Sequence, residues 1–198
     1  MSTDSPTRPR TVVHEQTVNG SDGFGTVRIV PLDPVADLDT VYSWVSVEHS
    51  RYWGMLDHTR EQVGESYAYL DSLTTHHAFL VTHDGEPAAL LETYEPGADP
   101  IGECYPVQRG DVGMHLLVGP APEGGARPGY TGALFGVLID YLFTSPDHSR
   151  IVLEPDVRNE RMLRRLVRMG FTLGPEVDKP EKRARLAFLR RPGSARSS

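Results

Sequence analysis

His115 and Asp156 are the residues whose types and places suit proton transfer. His115 stands inside the apolar run "MHLLV" (114–118), and Asp156, two residues after Glu154, follows a second apolar run, Ile151–Leu153. An imidazole with a carboxylate partner is a standard general-base arrangement. Between the two runs lies "PAPEGGARPGYTG" (120–132), with glycines at 124, 125, 129 and 132. Glycines after a strand and before a helix let backbone N–H groups approach an anion, and the helix N-terminus adds its positive dipole. The loop is neither a Walker loop, since no Gly-Lys-Ser/Thr follows, nor a dinucleotide fingerprint, since it holds no G-x-G-x-x-G. Each feature also has a plainer reading. His115 reads as a satisfied core residue, Asp156 as the N-cap of a helix starting near Arg158, and the glycines as turn punctuation.

The elements that must position these residues follow from periodicity. "GTVRIVPL" (25–32) alternates as a strand. Residues 33–49 carry apolar residues at helical spacing after the start signals Asp33 and Pro34, and 58–73 read as a second helix. Residues 77–94 read as two strands joined by an Asp84-Gly85 turn. A central strand is expected at 110–120, a helix at 133–143, a strand at 151–153, an Arg-rich helix closing on Gly170-Phe171, and a last strand at 183–191. A right-handed crossover makes the His115 strand and the Asp156 strand neighbours. Antiparallel strands first, then a strand–loop–helix–strand unit, predict a mixed α/β sheet.

With 198 residues, of which the polar ends 1–10 and 192–198 read as disordered tails, the chain is expected to form one domain over 11–191. A net charge of −7 argues against a nucleic-acid binder. No run of about 18 apolar residues predicts a membrane span. The N-terminus has no apolar core region, so it does not read as a secretory signal. Cys104 is the one cysteine, with no zinc spacing around it. Cytoplasm is the expected compartment. Of 20 basic residues only Lys179 and Lys182 are lysines, and five arginines (158, 161, 164, 165, 168) crowd one helix. Their guanidinium groups read either as a solvated face opposite Met162, Leu163, Leu166 and Met169 or as a phosphate site.

The chain from about 25 to 191 resembles the GNAT acyl-CoA N-acyltransferases. More narrowly it resembles the branch that acylates N-hydroxylated diamines or amino acids in hydroxamate siderophore biosynthesis. The resemblance rests on "EHSRYWGM" (48–55), "LLETY" (90–94), "GDVGMHLLVGP" (110–120) and "LEPDVRNERMLRRLVRMGF" (153–171). It implies an α/β (α+β) fold: a mixed, mostly antiparallel twisted sheet with splayed central parallel strands, flanked by helices. The family's phosphate loop usually reads Gln/Arg-x-x-Gly-x-Gly/Ala. Here Thr131 stands at the second Gly/Ala place and Arg127 one position out of register, so pyrophosphate contact is expected at Gly129, Tyr130, Thr131 and Gly132, with Arg127 beside them. Leu117 and Val118 would pair with the pantetheine arm like an added strand, and Asn159 and Met162 would contact it. The tyrosine by which ordinary members protonate the thiolate falls on Leu166, so the resemblance assigns proton transfer to His115 with Asp156. Trp53, Glu92 and Tyr94 would meet the acceptor. The implied co-substrate is acetyl-CoA or succinyl-CoA, with no metal, no nucleic acid and no membrane, in a monomer or weak homodimer. N-hydroxycadaverine is the favoured acceptor, then N6-hydroxylysine or N5-hydroxyornithine, then lysine acylated with long chains. An antibiotic N-acetyltransferase and a non-catalytic acyl-CoA-binding module are the competing classes.

Overall fold

The computed structural model describes residues 10–19, 24–121 and 127–193. Most of both expected tails, and Gly124 and Gly125 of the glycine loop, lie outside these residues. Eight strands form one sheet: β1 (His14–Val18), β2 (Gly25–Pro31), β3 (His76–His83), β4 (Glu86–Tyr94), β5 (Asp111–Val118), β6 (Arg150–Leu153), β7 (Thr172–Asp178) and β8 (Arg183–Arg190). Their order is β1-β2-β3-β4-β5-β6-β8-β7. β5 and β6 form the parallel pair; the other neighbours are antiparallel. The helices are α1 (Leu38–Val45), α2 (Arg60–Asp71), α3 (Tyr130–Leu142) and α4 (Glu160–Arg168). The chain thus forms a mixed, mostly antiparallel α/β sheet, as expected.

Local chemistry explains the punctuation. Asp84 and Gly85 both take positive φ, 52° and 92°, as a two-residue hairpin turn requires. Asp84 also accepts a hydrogen bond from the Thr26 N–H, which ties the β3–β4 turn to β2. Thr59 and Gln62 form a reciprocal capping box at the start of α2. The expected 33–49 helix is shorter, because its end turns into a 3-10 segment, Glu48–Trp53. β1 and β7, on which no sequence expectation was placed, are the two edge strands; neither has a fully buried residue, so neither carries the buried apolar run that marks an inner strand.

Strand alternation sends side chains to two cores. Val112 and Met114 of β5, Leu91 of β4 and Ile151 and Leu153 of β6 pack with α3 and α4. Leu90 and Leu117 pack on the opposite face with Val41, Trp44 and Val63 of α1 and α2. Tyr94, Val152 and Leu186 form a third cluster with Ile101 and Tyr105.

β5 and β6 stay paired for only three residues, Asp111–Gly113 against Arg150–Val152. At the base of this pairing Arg150 donates to both carboxylate oxygens of Asp111, at 2.7 and 2.6 Å, with the two side chains 8% and 0% exposed. Tyr105 donates to the same carboxylate. Beyond Gly113 the strands part, while β5 remains paired to β4 as far as Val118.

Candidate active site

The parting of β5 and β6 opens a cavity of about 950 Å³. Its walls come from Met114–Val118, from the chain after β6 (Leu153–Asp156), from the starts of α3 and α4, from the Glu48–Trp53 segment and from the β7–β8 turn. His115 lies in its wall. The residue directly opposite on β4 is Glu92, so their side chains share one face of the sheet. His115 Nδ1 is 3.3 Å from Glu92 Oε2. On the other side of the ring, Nε2 is 3.0 Å from both oxygens of Glu154. The imidazole bridges two carboxylates.

Depth separates the three groups. The Glu154 side chain is 1% exposed, Glu92 14% and His115 31%. Burial opposes a charge on His115, but Glu154 and then Glu92 more than offset it, raising its pKa to about 10. Burial likewise opposes the Glu154 charge, yet His115, Lys182 and Lys179 hold its carboxyl well below the usual range. At neutral pH the site therefore holds an imidazolium between carboxylates.

The structure does not pair His115 with Asp156. Asp156 is turned to its own chain: Oδ1 accepts from the Arg158 N–H at 2.8 Å and from Arg158 Nε at 2.9 Å, and Oδ2 accepts from Nη2 at 2.6 Å. The Arg158 hydrogen bonds hold its carboxyl below its ordinary value. Nor does Asp156 cap the helix, because Asn159 is the N-cap of α4 and its side chain accepts from the Met162 N–H. Asp156 still lines the cavity. Both acids are buried, at 1% and 4% exposure, so depth does not choose between them; Glu154 directly continues β6 beside His115, whereas Asp156 pairs across the sheet with Ala184 and its carboxylate is taken by Arg158. The sequence displayed both acids two residues apart; the apolar run directly ahead of Glu154 was the signal that it continues the strand.

Tyr94 also takes a different place from the one expected. It is 3% exposed, outside the cavity wall, with its ring 4.9 Å from that of His115. It lies over Gly113, where any Cβ would overlap the ring. Tyr94 therefore backs the imidazole, and Gly113 makes room for it. Trp53 does reach the cavity and meets His115 edge-on at 6.3 Å between ring centroids.

The residues expected along a coenzyme fall on the same cavity: Leu117, Val118, Arg127, Tyr130, Thr131, Asn159 and Met162 all line it. Gly129 is the N-cap of α3, with φ 80° and no side-chain cap hydrogen bond; the Tyr130 N–H donates to Arg127 O at 3.2 Å, and those of Thr131 and Gly132 are left for another acceptor. Gly132 sits in that first turn, where a Cβ would meet nothing within 4 Å. Arg158, Arg161 and Arg165 add positive charge at the cavity. Burial, then the neighbouring Arg161 and Arg168, lower the Arg165 pKa. Arg164, by contrast, faces out and pairs with Glu160 at 2.8 Å, as the solvated-face reading expects.

Besides Glu154, two further site residues carried no sequence expectation. Lys179 Nζ donates to Glu154 Oε1 at 3.0 Å, and Lys182 Nζ lies 3.3 Å from the same oxygen. Both come from the turn between β7 and β8, which sequence order alone does not place near β5.

Residues 33–179 match the family model described as an acetyltransferase (GNAT) domain. The N(6)-hydroxylysine O-acetyltransferase of Escherichia coli is 35% identical over 164 residues, 80% of this chain and 50% of that protein. The chain thus spans about half the length of that curated relative. Among solved structures, an uncharacterized protein from Bacillus halodurans gives a TM-score of 0.77 at 25% identity, over 83% of this chain and 84% of that one. AAC(6')-Ib in complex with ribostamycin and coenzyme A gives 0.72 at 23% identity, over 83% and 93%, a likeness of fold.

Proposed function

Given that the chain belongs to the GNAT acetyltransferase family, we propose that it transfers an acyl group from acyl-CoA to the nitrogen of an N-hydroxylated amine, forming a hydroxamate for a siderophore. The observation that carries this reading is the imidazole of His115, held between Glu154 at 3.0 Å and Glu92 at 3.3 Å on the wall of the cavity between the parted strands. Ordinary members protonate the departing thiolate from a tyrosine on the helix after β6, and Leu166, fully buried, occupies that place. A strand imidazolium supplies the missing proton donor. The name of the Escherichia coli relative supports an N-hydroxylysine-like acceptor. N-hydroxycadaverine, the same chain without the carboxylate, is the other acceptor of matching length.

The coenzyme would lie along β5, its pantetheine amides meeting the open edge of Met114–Val118 as an added strand would. Its pyrophosphate would face the uncapped start of α3, with Arg127, Arg158, Arg161 and Arg165 near the phosphates. A hydroxylamine nitrogen is far less basic than an alkylamine, so it is unprotonated at neutral pH and attacks the thioester carbonyl carbon directly. The carbon–sulfur bond breaks and its electron pair leaves on sulfur. His115 gives that sulfur a proton and recovers one from the newly acylated nitrogen, so no net proton is taken up. The 3.3 Å contact of Nδ1 with Glu92 is the longer of the two and the more exposed, which makes it the one a substrate displaces. Glu154 holds the other nitrogen and keeps the ring charged between turnovers. This order differs from the expected one, in which His115 begins as a base: a ring already protonated acts first as an acid.

The test is purified protein with acetyl-CoA or succinyl-CoA against N-hydroxycadaverine, N6-hydroxylysine, N5-hydroxyornithine and their parent amines, following free thiol and ferric hydroxamate colour. Hydroxylamines are expected to react at least about tenfold faster than the parent amines. Equal rates, or a thiol-releasing product that does not bind iron, defeat the reading.

A further inference from the structure

The two lysines at the β7–β8 turn are poorly explained as partners of Glu154 alone. Lys179 and Lys182 exchange backbone hydrogen bonds, Lys179 N–H to Lys182 O at 2.8 Å and Lys182 N–H to Lys179 O at 3.3 Å. Directly paired residues of a hairpin project to one face, and here both ammonium groups converge on Glu154 Oε1. Like charges in directly opposite positions are destabilising. The lone negative charge between them is already engaged by His115 at 3.0 Å. Glu92 lies on the far nitrogen of that ring, and Asp156 is taken by Arg158. Glu181 reaches Lys179 at 3.1 Å from a side chain 57% exposed. The carboxylate partner of Lys182 among the described residues is thus Glu154, shared three ways. Both lysine side chains are largely buried, 10% and 17% exposed, and both line the cavity. Three cations and three carboxylates balance here, but Lys182 has only a share of one buried carboxylate, at 3.3 Å, and its ammonium faces the space where substrates meet, so a substrate carboxylate can complete its pairing there.

We propose that Lys179 and Lys182 select substrates carrying a carboxylate remote from the reacting centre. The inference rests on the acyltransferase reading above and narrows its substrates. A carboxylate can reach the subsite from either reactant: the α-carboxylate of an N-hydroxylated amino acid, or the terminal carboxylate of a dicarboxylic acyl group. The combination of acetyl-CoA with N-hydroxycadaverine offers neither and is disfavoured. The turn therefore acts as a specificity element that requires at least one acidic reactant.

Two matched pairs test this. N6-hydroxylysine and N-hydroxycadaverine differ by one carboxylate, as do succinyl-CoA and propionyl-CoA. Dissociation constants are measured by titration calorimetry on the whole chain, with the acceptors titrated into coenzyme A-saturated protein. The native protein is expected to bind the acidic member of one pair about tenfold tighter than its partner. The pair that shows the preference identifies the source of the carboxylate. Lys182→Gln, and Lys179→Gln with it, should abolish the preference, and Lys182→Arg should restore most of it. Lys182→Gln alone decides the matter if the double variant melts early in circular dichroism. No preference in either pair, or a preference that survives Lys182→Gln with both lysines replaced or singly, overturns the proposal. Failure of the acyltransferase reading shows elsewhere, as absence of thiol release with every hydroxylamine.

Discussion

Burial alone would discharge His115, and two carboxylates reverse that outcome. One of them, Glu154, dominates because it is the deeper and the nearer. Replacing it should bring the imidazole pKa down from about 10 toward its ordinary value of 6.5. If His115 is the proton donor, Glu154→Gln shifts the alkaline limb of kcat/KM downward, whereas Asp156→Asn leaves the limb in place, its charge being held by Arg158. His115→Ala should lower kcat by roughly 10²–10⁴-fold with coenzyme A affinity nearly retained. Rate profiles across pH decide between the two acids: a limb that moves with Asp156→Asn and stays with Glu154→Gln would reinstate the pairing expected from sequence.

The parallel pair of strands must be joined at one end and apart at the other. Register and chemistry coincide at the joined end, where Asp111 and Arg150 are strand partners in the sheet and their side chains form a buried two-pronged ion pair backed by Phe188 and Tyr105. Removing one member leaves an unpaired buried charge, so Arg150→Met should cost about 3–5 kcal/mol of stability. Replacing both, Arg150→Met with Asp111→Leu, should cost less than the single change. Urea denaturation measures both. A single variant within about 1 kcal/mol of the native protein would show that the clamp is held by the surrounding sheet instead. The elements around this clamp were readable because their signals are local: alternation in β2, the turn dipeptide between β3 and β4, the long apolar run of β5. β1 and β7 were not, since edge strands with one solvated side lack a strong burial pattern.

Across the whole molecule, the same cluster links folding to pH. His115 has its pKa raised in the native state, so its stabilising contribution is full below 6.5 and is lost as pH rises through about 10. Glu154 has its pKa depressed, so its share is present above 4.5 and lost as pH falls below that. The interaction, counted once, should stabilise the fold most between those two ordinary values. Thermal or urea melts of the native protein and of His115→Gln should differ most there and converge toward pH 10. A difference that grows with rising pH would contradict a charged native imidazole.

Residue types and spacing determined much by themselves. A histidine in an apolar strand, acids closing the next one, glycines before a helix and an arginine-rich helix mark the cavity that the fold assembles, because each signal is written in a few consecutive residues. What tertiary structure decided is which carboxylate meets the imidazole, that the imidazole carries a charge, and that two lysines from the distant β7–β8 turn share its counter-ion. Those depend on depth and on contacts between strands far apart in the chain, and both electrostatic strength and desolvation are set by the surroundings that packing creates.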